Sequence, residues 1–195
     1  YKNIFINSNI NIFVVGKFNE LDLVRSFKEL FNINNKSINY NDYNLNYTDN
    51  NELVAKEESI DFLEQSQLSI IYKCINLTDY EKEYVLPIYS RILGDGTFSK
   101  LFENVREKNW LVYTIRSLEN AIDSNLYIHC GINKNNYDKA LELIDIEVSN
   151  MSKNITDLEI NSAKKDILSY IKSINDSTPL LIGYLQELYI FNKVK

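Results

Sequence analysis

The sequence predicts an α+β fold, a two-layer sandwich with helices on one face of a largely antiparallel sheet. Three observations predict it. Residues 125–132 alternate, with Leu126, Ile128, Cys130 and Ile132 on one apolar face and Tyr127, His129 and Gly131 on the other, as a sheet covered on one side requires. Later segments place apolar residues at three-to-four spacing behind recognisable caps, the pattern of helices that bury one stripe. The elements follow the order β-α-β-β-α-α-β-β-α-α-α without an internal repeat, and 195 residues suit one domain, 1–195, around one sizeable core.

Taken in order, a strand is expected over 10–17, ended by Gly16, then a helix carrying Leu21, Leu23, Val24, Phe27, Leu30 and Phe31. The Asn-rich stretch 32–51 has no sustained period and reads as a surface loop. Strands are expected over 53–59 and 67–75. A helix over 79–93 has Tyr84, Val85, Ile88 and Ile92 on one stripe, and Gly94-Asp95-Gly96 breaks it. A second helix restarts with Thr97 as its N-cap, buries Leu101, Phe102 and Val105, and ends near Asn109. Strands over 111–118 and 125–132 are joined by a turn at 119–124. Three helices finish the chain. The first, 136–151, turns Ala140, Leu141, Ile144 and Val148 inward; the second starts at Asp157 behind the capping box of Thr156 and Glu159; the third has Thr178 as cap and Pro179 in its first turn.

Composition narrows the functional classes. A net charge of −6 and a pI near 4.9 argue against nucleic acid and against an anionic membrane surface, since both select for clustered Lys and Arg. No apolar run reaches the ~18 residues a membrane span needs. The chain begins with Tyr1 and lacks the pattern of a secretion signal, so it is expected to be a fragment of a longer protein. Its two cysteines, Cys74 and Cys130, sit in apolar alternating runs as small hydrophobes, which suits a reducing, cytoplasmic setting.

A zinc hydrolase needs several side-chain ligands, usually two histidines among them, and a general base. With a single histidine, His129, this chain is expected to hold no metal and no cofactor of its own. Nothing around Cys74 or Cys130 marks a nucleophile. The run Gly94-Asp95-Gly96-Thr97-Phe98-Ser99-Lys100 invites comparison with phosphate loops, but it follows a helix rather than a strand and its spacing fits neither phosphate fingerprint; a tight helix-to-helix turn is the simpler reading. What survives is Arg106, in the last turn of the second helix, and Tyr113, in the next strand. A short connection could set a bidentate cationic donor and a phenolic donor at one end of the uncovered face, suited to a peptide carbonyl, a carboxylate or an oxyanion. The alternative is that Arg106 complements a helix C-terminus and Tyr113 is a half-buried strand aromatic. Alternation also turns Tyr127 and His129 to the uncovered face.

The string Ile92-Leu93-Gly94-Asp95-Gly96-Thr97-Phe98-Ser99-Lys100-Leu101-Phe102-Glu103-Asn104-Val105-Arg106-Glu107-Lys108, with Tyr113 after it, resembles the second-domain motif of the insulinase/pitrilysin/processing-peptidase family. There, a leucine and glycines precede a helix reading S-x-L-F-x-x-V-R-E-K, and a tyrosine follows. The flanks are similar too: Val14-Val15-Gly16 before a helix, Asn136-Tyr137-Asp138-Lys139-Ala140 after the last strand, and Thr156-Asp157-Leu158-Glu159 before Ala163-Lys164-Lys165. Two places differ, Asp95 where glycine is common and Trp110-Leu111-Val112 in place of a stretch that commonly holds a glycine. The resemblance implies a LuxS/processing-peptidase-like metallohydrolase fold, with two related halves closing around a peptide and zinc in the first. It further implies that this chain is the second half, that Arg106 and Tyr113 bind the peptide substrate, and that the partner is an N-terminal catalytic-type domain or a paired subunit supplying the zinc. An inactive family member, acting as a binding or assembly module, is the other reading, and a purely structural domain a third.

Overall fold

The computed structural model describes residues 10–31, 54–58, 65–96, 98–121 and 123–190. Its sheet has three strands: β1 (Ser66–Lys73), β2 (Val112–Asn120) and β3 (Asn125–Ile132), all antiparallel, in the spatial order β1-β3-β2. β3 has the span and the facing its alternation predicts, with Leu126, Ile128, Cys130 and Ile132 all buried. In β1 the covered positions are Leu68, Ile70 and Tyr72, paired across the ladder with Cys130, Ile128 and Leu126. Pairing apolar with apolar keeps one whole face out of water. That burial is the main stabilising term for a sheet of this size.

Two expected strands are not strands. Residues 10–17 make no ladder, although Phe13 and Val15 alternate as half-buried positions; Phe13 packs edge-on against Tyr189, with ring centroids 5.5 Å apart. Residues 54–58 of the segment expected over 53–59 are likewise irregular, while 53 and 59 lie outside the described residues. Alternation favours extended backbone, but a strand also needs a neighbouring strand to take its N–H and C=O groups. The loop expected over 32–51 and the Thr97 cap lie outside the described residues as well.

The described residues fall into two compact units, one within Asp49–Leu168 and the other within Tyr1–Thr48 and Ser169–Lys195. In the second, helix α1 (Glu20–Phe31) is capped by Asn19, whose Oδ1 accepts the N–H groups of Leu21 (3.0 Å) and Asp22 (3.3 Å). Of its predicted apolar stripe, Leu23 and Phe27 are half-buried and Leu21 is exposed.

In the larger unit, the helix expected over 79–93 opens on a capping box in which Glu81 Oε2 accepts from the Thr78 N–H (2.8 Å) and hydroxyl (2.7 Å). These bonds hold the Glu81 carboxyl below its ordinary range. The helix then widens into a π-helical turn, Glu81–Val85, before tightening into α2 (Leu86–Leu93). Pro87 explains the widening, because it lacks an N–H and its ring would strike the carbonyl one α-turn back. The extra residue per turn rotates the apolar face. Tyr84 and Val85, expected inward, are therefore exposed, and Leu86, Ser90 and Leu93 are buried instead beside Ile92.

A second π-helical stretch, Phe102–Glu107, buries Val105, and the preceding Leu101 is buried too, whereas Phe102, expected inward, is half-buried. Helix α3 (Tyr137–Asn150) follows a 3-10 turn and buries Ala140 and Ile144, with Val148 partly covered. It is tied to the start of β2 by Asn136 Nδ2, which donates to the Leu111 carbonyl (3.1 Å). α2, the Phe102–Glu107 stretch and α3 share one apolar cluster with the covered face of the sheet, giving the two layers predicted. Helix α4 (Asp157–Ser173) begins at the expected Thr156–Glu159 capping box, and Glu159 also pairs with Lys100 at 2.7 Å. Burial works against the Glu159 charge, but Lys100 and Thr156 outweigh it and hold the carboxyl low. In the smaller unit, helix α5 (Thr178–Ile190) has Pro179 in its first turn. Among the described residues no helix is long and apolar enough to cross a membrane. Cys74 is half-buried and Cys130 buried, both free thiols; burial pushes the Cys130 thiol up to about 11 and raises Cys74 as well, so both stay protonated at neutral pH.

Candidate functional site

The glycine run after α2 is a packing device. A methyl group on Gly94 would lie 2.7 Å from the Ser117 backbone nitrogen and 3.0 Å from Leu101 Cδ1, so only glycine lets the end of α2 approach β2 this closely. Beside it, Ser117 Oγ donates to the Ser90 carbonyl (2.6 Å), and the two serine hydroxyls lie 3.1 Å apart, both wholly buried. Gly96, at φ 147°, holds a backbone conformation that L side chains avoid. Asp95, where the resembled family commonly has glycine, pairs with Arg91 at 2.7 Å. Nearby, burial raises the carboxyl of Glu119 despite a hydrogen bond from Ser90 and the charge of Arg91.

Arg106 lies in the π-helical stretch, its guanidinium 4.6 Å above the Phe102 ring and its Nε 3.9 Å from the Glu107 carboxylate. The helix ends as Trp110 donates its N–H to the Arg106 carbonyl (2.9 Å) and turns to φ 53°. This left-handed residue redirects the chain into β2 within two residues. For tryptophan it carries a strain of about 1–2 kcal/mol, and the 80% exposed indole gains little burial in return. Trp110→Gly should therefore raise stability. Glycine's extra freedom in the unfolded chain offsets about 0.4–1 kcal/mol, leaving a net gain of about 0.5–1 kcal/mol in a denaturant titration. A loss of stability would mean that the indole is supported where it stands.

Tyr113 sits on a β-bulge. Val112 pairs with Ile132 and Thr114 with Gly131, so Tyr113 is the extra residue on β2. Val112 is buried, whereas Tyr113 (58% exposed) and Thr114 both point away from the core. The bulge leaves two successive hydroxyl-bearing residues exposed away from the core, and Thr114 Oγ1 accepts the Gly131 N–H at 3.3 Å. No hydrogen bond or ion pair joins Arg106 to Tyr113.

Beyond the bulge, the uncovered face is built in rows across the three strands. One row is Arg116–His129–Ser69, in which Ser69 Oγ and His129 Nδ1 share a hydrogen bond at 2.9 Å. The next is Leu118–Tyr127–Ile71, whose tyrosine ring lies parallel to His129 with centroids 6.1 Å apart. Tyr127 and His129 thus take the face that alternation predicts. Arg116 and Ser69 were not singled out by the sequence reading. Ser69 was legible as the polar partner of an alternating strand; Arg116 was not, because strict alternation from Tyr113 turns it into the core.

Comparison with known proteins gives this arrangement a family. The model of the peptidase M16 inactive domain matches residues 1–167. The chain is 24% identical over 147 residues to the probable inactive metalloprotease YmfF of Bacillus subtilis (strain 168), covering 74% of this chain and 33% of that protein. Among solved structures, a conserved protein from Enterococcus faecalis V583 is 28% identical with a TM-score of 0.58, over 68% of this chain and 31% of the other. A peptidase M16 inactive domain from Pseudomonas fluorescens shares the fold at 22% identity and a TM-score of 0.53, over 66% of this chain and 31% of the other. The chain thus spans about a third of the length of these relatives. With its sheet covered on one side and a family model matching 1–167, the chain belongs to the peptidase M16 inactive-domain family.

Proposed function

We propose that this chain is the peptide-holding half of a larger protein, with Arg106 and Tyr113 as donors to the main chain or a carboxylate of a peptide lying over the uncovered face. The observation that carries this reading is the bulge, which leaves Tyr113 and Thr114 both exposed away from the core just after the helix of Arg106. Arg106 is held loosely, against a ring face and a long contact to Glu107, so its guanidinium is free to swing to a ligand.

The zinc of the family does not fit this chain's own donors. Its single histidine is bonded to Ser69, and among the described residues no three His, Cys, Asp or Glu side chains converge. Zinc, if the whole protein uses it, belongs to an N-terminal catalytic-type domain or a paired subunit. A cytoplasmic setting is part of this reading, supported by two cysteines that sit in apolar surroundings as free thiols. In this reading the domain orients peptide and leaves bond cleavage to the other half.

The name of the Bacillus subtilis relative favours a second reading, in which the whole protein does not cleave and serves as a binding or assembly module. An H-x-x-E-H helix elsewhere in the full chain or its partner separates the two. In either case, Arg106→Ala in the full-length protein should weaken binding of a labelled peptide about 10-fold or more, and Tyr113→Phe should weaken it by less. In a cleaving protein, turnover should fall about 10–100-fold at unchanged zinc content. Unaltered peptide binding in both variants would remove the proposed role.

A further inference from the structure

We propose that the uncovered face selects an acidic side chain, two residues away from an apolar one, in the peptide it holds; the inference rests on the peptide-holding reading above. The observations are charge and register. The chain carries −6 overall, yet among the described residues of the three strands no Asp or Glu lies on this face. Glu119, the only carboxylate in β2, occupies a covered position opposite Leu126. Arg116 is exposed and has no ion-pair partner among the described residues, while His129 and Ser69 complete its row with groups able to donate hydrogen bonds. An anionic side chain over this row meets a guanidinium and at least one further donor and, among the described strand residues, no competing carboxylate.

The neighbouring row supplies a spacing. Leu118, Tyr127 and the 57% exposed Ile71 form an apolar strip one step along the strands. Same-face residues in a strand repeat about every 6.6–6.8 Å, and so do alternate side chains of an extended peptide. A peptide running along the strands therefore places one side chain over the apolar row and the side chain two residues away over Arg116. The indicated element is an apolar residue and an Asp or Glu two residues apart, in either order.

The test uses the full-length protein and three fluorescein-labelled ten-residue peptides containing Leu-Ser-Glu-Ser-Leu, Leu-Ser-Gln-Ser-Leu or Leu-Ser-Lys-Ser-Leu, which offer the spacing in both directions, in an otherwise identical Ser/Gly background. Fluorescence anisotropy should rank the Glu peptide about 5-fold tighter than the Gln peptide and the Lys peptide weakest, with the gap shrinking at high salt. Arg116→Gln should close the gap and Arg116→Glu should invert the order. Both changes are at an exposed position, and unaltered circular dichroism checks the fold. Equal binding of the three peptides, or a ranking that survives Arg116→Glu, overturns the selectivity; if Arg106→Ala still weakens all three, peptide holding itself stands. Failure of every peptide to bind removes peptide holding and this inference together.

Discussion

Gly94→Ala should destabilise the folded chain by about 2–3 kcal/mol, although it adds a single methyl group. The new Cβ would stand 2.7 Å from the Ser117 nitrogen and 3.0 Å from both Ser117 Cβ and Leu101 Cδ1. The nitrogen cannot yield easily. Ser117 lies within the ladder opposite Ile128, and its hydroxyl is anchored on the Ser90 carbonyl at 2.6 Å. Relief must come from α2 moving off the sheet, which opens the contact around Leu93 and Ile92. Urea unfolding followed by circular dichroism measures the loss. A change below about 0.5 kcal/mol would show that the helix shifts at little cost and that close packing is not what glycine provides there.

Leu101→Ala should cost more, about 3–4 kcal/mol, because its side chain is fully buried between the start of the Phe102–Glu107 stretch and the sheet. The two substitutions should not add. Removing the Leu101 side chain clears one of the three close approaches at Gly94 but leaves both Ser117 contacts, so the double variant should lose less than the sum of the singles. Strict additivity would mean that Leu101 relaxes away from the new methyl group in the single variant.

The residues that announced themselves in the sequence are those whose own neighbours settle their environment. The Thr156–Glu159 box caps α4 as expected, because a capping box is a contract between residues three apart. β3 reads correctly because both of its edges are paired and its apolar side chains have one destination. Residues 10–17 show the opposite case, since their alternation says nothing about whether another strand is at hand. The π-helical turns were hidden for a different reason. Pro87 hints at the first, while nothing in Phe102-Glu103-Asn104-Val105-Arg106-Glu107 marks the second. Of the candidate site, Arg106 and Tyr113 were picked out by residue type and position and then by resemblance; the sequence could not show that Tyr113 is an extra residue, because Leu111 and Val112 form an apolar pair with no parity to break.

The Tyr113 bulge makes β2 a strand with two reading frames. Before it, an even-numbered residue, Val112, faces the core; after it, the odd-numbered Ile115 and Ser117 do. A relative that lacks the extra residue can keep every inward side chain only if its gap falls at this point. A gap placed anywhere further along would silently exchange the inside and outside of the strand, and would put the counterpart of Arg116 in the core on paper while it stood in solvent in fact.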